Sequence, residues 1–552
     1  MQNKRMLPER IIGLVVLCLM LAASAAAQAA APNQELSAKV DGYINELVKA
    51  NRFSGAVLVA RDGKVLVSKG YGMANLEDET PNTAQTKFRL GSITKQFTAT
   101  AIMMLEERGK LSVQDSICKY VTDCPQAWQP VTIRHLLSHT GGIPNFTSFP
   151  EYMKIMMQPT TVDALIARFK DKPLTFQPGE RWSYSNSGYI LLGHVIEKVS
   201  GKSYEAFLQE NIFDPLKMTN TGYDSPARVI KHRAAGYMQR DNALVNAPYI
   251  DMTIPHAAGA LYSTVEDLYL WDQALYTDKL LSKKSFDAMF TPVKNDYGYG
   301  WGINKQYGLM RVAHGGGING FATFISRYPE ARAVVIVLSN FAHADPSSIA
   351  NELSKMALAD KMTLPVSVKV DPAVLKNYAG RYRIDPAIAP NVVLDLTIED
   401  GELWVKPSGD RKHKVIALSD SEFLDEDLGD SHITFVKDEK GNISGINLES
   451  KVKKFGAKRI TLPAPSLTGN TTFRLKAFPN AQIVVLAGSF NGWDQSQTVF
   501  AKEGDEWVCR INLTPGKHTY KFIVDGNWIT DPANTVSEDD GNGNINSVLI
   551  VK

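Results

Sequence analysis

Residues 53–68 alternate apolar and polar positions on either side of Asp62-Gly63, the pattern of a β-hairpin closed by a tight turn. Beyond it the period changes. Ile93, Phe97, Ala101 and Met104/Leu105 recur at spacings of three and four, which predicts a helix opened by Ser92 and stopped by Gly109. From about 130 to 290 the chain reads mostly as helices and irregular connections. There Ser263-Thr264-Val265-Glu266 has the form of a capping box ahead of a helix carrying Leu268 and Trp271. Strand signals return at Tyr297–Ile303, Phe321–Ser326 and Val334–Leu338. Strands, then a helical block, then strands imply an α+β domain with a helical insertion.

The pattern shifts near Leu364-Pro365. From Tyr378 to about Thr461 it becomes short alternating strands separated by turn residues, a small β domain. Pro463-Ala464-Pro465-Ser466 reads as a linker, and a last all-β unit runs from near Thr471 to Lys552. With 552 residues and 44% apolar content, the chain is too long for one core. A net charge of +2 without long runs of one sign points away from nucleic acid and from anionic membrane surfaces.

The N-terminus reads as a bacterial Sec-type signal peptide over residues 1–29. Lys4, Arg5 and Arg10 precede an apolar stretch, Ile11 to Ala23, and the small-residue tract Ser24 to Ala31, with cleavage expected between Ala27 and Ala31. Leu17 before Cys18 is bulky, so lipid attachment is not expected, and no second stretch is long enough to span a bilayer. The expectation is a periplasmic or secreted product. In that oxidising setting Cys118 and Cys124 are expected to pair as a disulfide, the alternative being two reduced, half-buried thiols. Cys509, in Trp507-Val508-Cys509, reads as a small core residue.

Three short patterns carry chemistry: Ser92-Ile93-Thr94-Lys95, Tyr184-Ser185-Asn186 and His314-Gly315-Gly316. A serine hydroxyl needs a neighbour to take its proton, and three residues of helix place Lys95 on the same face as Ser92. At a helix N-terminus the Ser92 N–H is half of an oxyanion hole, and the Gly317 N–H is the candidate second half. Gly316 and its glycine neighbours let an extended backbone lie close to a substrate. A Lys95 ammonium nearby is expected to favour the Tyr184 phenolate as a base. Asn186 can orient Lys95 and bind a substrate carbonyl. Ser-x-x-Lys also occurs at Ser116/Lys119 and Ser450/Lys453, without supporting neighbours. No Cys/His cluster has metal-site spacing, so neither metal nor cofactor is expected.

These motifs resemble the serine β-lactamase and penicillin-binding-protein group, especially class C β-lactamase-like esterases and D-amino-acid peptidases of the S12 type. Phe88-Arg89-Leu90-Gly91, His135-Leu136-Leu137-Ser138-His139-Thr140-Gly141-Gly142, Pro178-Gly179-Glu180 and Gly320-Phe321 extend the likeness over roughly residues 38–362. The resemblance implies a β-lactamase-like domain over 33–362, an antiparallel sheet flanked by helices plus a helical subdomain. It implies acylation of Ser92, proton transfer shared by Lys95 and Tyr184, and substrate positioning by Asn186 and His314. The family's β-lactamases carry lysine where this chain has His314; histidine is mostly neutral at pH 7, which favours an ester or peptide substrate over a β-lactam. His139 and Trp301 are expected to be structural.

Leu375-Lys376-Asn377-Tyr378-Ala379-Gly380-Arg381-Tyr382 is similar to the lipocalin-like β-barrel domain that follows such hydrolases, here 366–462. Gly488-Ser489-Phe490-Asn491-Gly492-Trp493-Asp494, Pro515-Gly516-Lys517 and Asp531-Pro532 resemble the glycogen-binding module of the AMP-activated kinase β subunit, an Ig-like β-sandwich over 467–552. By that resemblance Trp493, Lys521, Trp528 and Asn546 contact sugar, the indoles stacking on pyranose C–H faces. Asn542 and Asn544 depart from its apolar residue and threonine. The expected function is an exported, carboxylesterase-like serine hydrolase acting on an ester or amide and drawn to an α-glucan or other polysaccharide. The alternatives are a D-amino-acid peptidase or weak β-lactamase, and a non-catalytic carbohydrate-binding protein.

Overall fold

The computed structural model describes residues 34–551 apart from 241–242, 386–387, 389–391, 409–411, 427–430, 451–453, 477, 480, 482 and 540–544. The expected signal peptide, residues 1–29, and the positions Asn542 and Asn544 lie outside the described residues. The chain divides into two compact units at Leu364/Pro365.

The first unit is built on a six-stranded antiparallel sheet. Its strands are β1 (Gly55–Arg61), β2 (Lys64–Tyr71), β3 (Gly302–Gln306), β4 (Leu309–Ile318), β5 (Phe321–Tyr328) and β6 (Ala333–Ser339), in the order β3-β4-β5-β6-β1-β2. Asp62 and Gly63 turn the β1–β2 hairpin with φ of 52° and 72°. The central strands β1 and β6 are apolar without alternation because both sheet faces are covered. Ala56, Leu58, Ile336 and Leu338 pack into the core shared with helices α2 (Thr94–Glu107) and α4 (Val265–Ala274). Val57, Val59, Val335 and Val337 pack on the other side against helix α1 (residues 34–49) and α5 (Pro346–Leu358). Between the two strand groups lies the helical block, centred on α3 (Asn186–Ser200), whose residues Ser187 to Ile196 are all buried.

Two local expectations need correction. The strand predicted over Tyr297–Ile303 starts only at Gly302: Gly300 turns the chain with φ 76°, and a Cβ there would lie 2.7 Å from the Lys95 carbonyl oxygen. Residues 297–301 are a loop laid on α2. The cap of α4 is Thr264 rather than Ser263: its Oγ1 accepts the Asp267 N–H at 3.1 Å, while Ser263 Oγ pairs with Thr221 Oγ1 at 2.6 Å. Cys118 and Cys124 form a disulfide with Cα atoms 5.2 Å apart.

The second unit contains a nearly closed nine-stranded antiparallel barrel, in which the first strand, Gly380–Ile384, pairs with the last, Lys454–Arg459. Its interior is filled by Tyr382, Leu394, Val405, Phe423 and Ile446. A β-sandwich follows, in which β7 (Val484–Gly488), β8 (Gly516–Val524) and β9 (Ile545–Val551) lead one sheet. Cys509 is buried in the opposing sheet, its thiol pushed up to about 12 by desolvation. Barrel and sandwich are bonded directly. Arg381, ion-paired to Asp395 at 2.6 Å, donates to the Gln495 carbonyl, and Arg383 Nη2 reaches Asp494 Oδ1 at 3.1 Å and Ser496 Oγ at 2.5 Å. Ser466, at the end of the linker, is paired to the sandwich through Val499 and Arg510.

Candidate active site

A single turn of 3₁₀ helix, Gly91–Ile93, precedes α2 and carries Ser92; Lys95 follows one turn later. The Lys95 Nζ stands 3.0 Å from Ser92 Oγ, 2.9 Å from Asn186 Oδ1 and 2.9 Å from the Ala258 carbonyl oxygen. Lys95 is fully buried, and desolvation holds its pKa well below 10.5. A neutral amine has two N–H groups and one lone pair. The two carbonyl-type oxygens can only accept, so they take the two N–H groups, and the lone pair is left for the Ser92 hydroxyl proton. This is the arrangement of a base poised on its nucleophile.

Asn186, the first residue of α3, is itself fixed: its backbone N–H donates to Asn145 Oδ1 at 3.0 Å and its Nδ2 to Thr147 Oγ1 at 3.1 Å. So anchored, it presents Oδ1 to Lys95 Nζ. Thr98 Oγ1 donates to the Ala257 carbonyl at 2.7 Å, steadying the short turn that presents the Ala258 oxygen. Asn145, Thr147 and Ala258 carry no motif of their own and were not anticipated from sequence.

Tyr184 corrects the expectation of a phenolate. Burial pushes its pKa above the ordinary value of 10.0, opposed only in part by a side-chain hydrogen bond with Ser92. Lys95 Nζ lies over the Tyr184 ring, 4.8 Å from its centroid, and desolvation of the buried hydroxyl dominates. Tyr184 therefore rests as a protonated phenol.

His314 is also neutral. Its Nδ1 donates to the Gly315 carbonyl at 2.5 Å, so Nε2 is the acceptor, and the Tyr297 hydroxyl lies 2.9 Å from it. Desolvation and the neighbouring Lys95 bring its pKa down to about 4. Both ring nitrogens are occupied, so His314 shapes the site by its ring and offers no cation. Beside it opens a cavity of about 380 Å³ lined by Trp182, Tyr184, Asp296, Arg311 and Phe324. Trp301 is fully buried in the core.

The glycines of β4 bring the strand onto the serine turn. A Cβ on Gly316 would lie 1.9 Å from the Leu90 carbonyl oxygen, and one on Gly91 would lie 2.9 Å from the Gly317 nitrogen. Thr323 Oγ1, across the sheet from Gly316, donates to the same Leu90 oxygen at 2.8 Å. The Leu90–Gly91 backbone, which leads into Ser92, thus lies against that of Gly316–Gly317. In the sandwich, Lys521 and Ile523 of β8 lie opposite Ala487 and Val485 of β7, and Trp528 lies opposite Ile523. The Trp493 and Trp528 rings are 6.2 Å apart, inclined by 39°, both half-buried, and Asn546 is buried.

Residues 40–359 match the family Beta-lactamase, and residues 470–552 match the glycogen recognition site of AMP-activated protein kinase. The chain belongs to the beta-lactamase family of serine hydrolases and carries a carbohydrate-binding-type module at its C-terminus. Penicillin-binding protein 4* of Bacillus subtilis is 32% identical over 419 residues, covering 68% of this chain and 89% of that protein. The octameric penicillin-binding protein homologue from Pyrococcus abyssi superposes with a TM-score of 0.55 at 28% identity, over 76% of this chain and 99% of that one. The D-amino acid amidase of Ochrobactrum anthropi SV3, at 23% identity and TM-score 0.53 over 59% of this chain and 98% of its own, shares the fold.

Proposed function

We propose that this protein is an exported hydrolase that cleaves an ester or amide through an acyl-enzyme on Ser92. The observation that carries the reading is the buried Lys95 amine, 3.0 Å from Ser92 Oγ, with its two other contacts both to acceptors. In acylation the Ser92 proton passes to Lys95 while Oγ bonds to the carbonyl carbon. The oxyanion is held by the Ser92 and Gly317 N–H groups. Tyr184 gives its proton to the departing alcohol or amine and recovers one from the Lys95 ammonium. Water then repeats the sequence in reverse and releases the acid. The neutral His314 supports a substrate with no obligatory carboxylate, as in a carboxylesterase, and the aromatic face of the sandwich supports retention on an α-glucan or related polysaccharide.

A second reading, a D-amino-acid peptidase or weak β-lactamase, is favoured by the 32% identity to penicillin-binding protein 4*. Labelling with a fluorophosphonate and with a fluorescent penicillin, followed by mass-spectrometric location of the adduct, tests both. An adduct on Ser92 that Ser92→Ala abolishes supports the acyl-enzyme. Ester turnover without nitrocefin hydrolysis or release of D-alanine from peptides selects the first reading. An adduct elsewhere rejects the site.

A further inference from the structure

His139 lies outside the reacting set, yet it grips Tyr184 from both sides. Its carbonyl oxygen accepts the Ser183 N–H at 2.9 Å, and its ring Nδ1 accepts the Ser185 N–H at 3.2 Å. Between these two bonds its ring lies against the Tyr184 ring, centroids 4.3 Å apart.

The position is a poor one for stability on two counts. The backbone of His139 has φ 57°, the left-handed region, which is unfavourable for a non-glycine residue. Because Nδ1 accepts, the proton of the neutral ring sits on Nε2, which has no hydrogen-bond partner among the described residues. A buried, unpaired N–H gives up its bond to water and gains none in return. What the strained conformation achieves is to present a main-chain and a side-chain acceptor to two peptides that flank one tyrosine. Burial and the nearby Lys95 keep the ring neutral, as the acceptor role requires.

We propose that His139 is a positioning residue for the reaction at Ser92: it fixes the 183–185 segment so that the Tyr184 hydroxyl meets the leaving group. This rests on the reading of Tyr184 as the proton donor. A displacement of about 1 Å at such a group can cost about a hundredfold in rate.

The test compares kcat/KM for the ethyl and p-nitrophenyl esters of one acyl group. Ethoxide must be protonated to leave, whereas p-nitrophenolate departs unaided. Tyr184→Phe and His139→Ala should each lower ethyl ester hydrolysis about 10- to 100-fold and p-nitrophenyl ester hydrolysis less than about threefold. His139→Asn should recover most of the loss, since asparagine tolerates positive φ and its Oδ1 can take the Ser185 N–H. In a Tyr184→Phe background His139→Ala should add under twofold. Equal losses on both esters, multiplicative losses in the double variant, or no recovery in His139→Asn would overturn the assignment. If His139→Ala does not fold, His139→Gln, whose oxygen is displaced by one methylene, takes its place in every comparison. If Tyr184→Phe itself leaves the ester ratio unchanged, the proton-donor reading fails; if only the His139 variants do so, this inference fails alone.

Discussion

Lys95 Nζ sits 4.8 Å over the face of the Tyr184 ring and 3.0 Å from the Ser92 hydroxyl oxygen. The amine thus serves the serine directly, and the tyrosine is left as an acid. Burial acts on the two groups in opposite directions, pulling the lysine down and pushing the tyrosine up, because it disfavours whichever form is charged. Neutral amine and neutral phenol are the pair that acylation consumes.

Replacing Lys95 by alanine removes the base and should lower kcat/KM about 10²- to 10⁴-fold, the usual worth of a positioned general base. Asn186→Ala should cost less, because Ala258 still accepts one Lys95 proton. Steady-state ester kinetics on both variants, with matched circular dichroism, check the order.

The pH profile follows from the same two shifts. Activity should be lost on the acid side as Lys95 takes a proton, at a pH well under the ordinary lysine value, since its pKa is depressed. The alkaline limb should stand above the ordinary tyrosine value of 10.0, since that of Tyr184 is raised. A kcat/KM profile with an alkaline limb near pH 8 that Tyr184→Phe removes would contradict this.

Acid should destabilise the first unit. His314 and His256 both have pKa values brought down to about 4 from 6.5 by burial. The unfolded chain therefore binds more protons than the fold between these values. The stability from burying neutral rings is complete above pH 6.5 and is lost as pH falls towards 4, by up to roughly 3 kcal/mol per ring. Melting temperatures measured from pH 7 to 4.5 should fall, and His314→Gln should flatten part of the slope.

Gly316→Ala should abolish activity and destabilise the protein. Its methyl would meet the Leu90 carbonyl, and relief requires β4 to withdraw from the serine turn. Gly317→Ala should fold normally, because the Cβ position there is open. Thermal melts and turnover on the pair separate the two.

Trp493→Ala with Trp528→Ala should weaken retention on glycogen or amylose about 10-fold or more while leaving turnover of soluble esters intact. Affinity electrophoresis in gels with and without glycogen measures this. Unchanged mobility in the wild-type protein would show that the half-buried aromatic face serves only the sandwich itself.

Periodicity and turn chemistry made much of the architecture legible: the hairpin at Asp62-Gly63, the helix α2 between Ser92 and Gly109, and the strands at Phe321 and Val334 all depend on neighbours within a few residues. The spacing of Ser92 and Lys95 was legible for the same reason, since one helical turn fixes it. The protonation states were not. They depend on desolvation, which is set by side chains brought in from distant segments, and so Tyr184 could be recognised in the chain but its phenol form could not. Strand β3 began later than its apolar pattern suggested because Gly300 must clear the Lys95 carbonyl. The acceptors that hold Lys95, from Asn186 and the Ala258 carbonyl, lie 91 and 163 residues away, and only folding brings them to one amine. Local sequence determined which residues could react; the packing of remote backbone around them decided which one holds the proton.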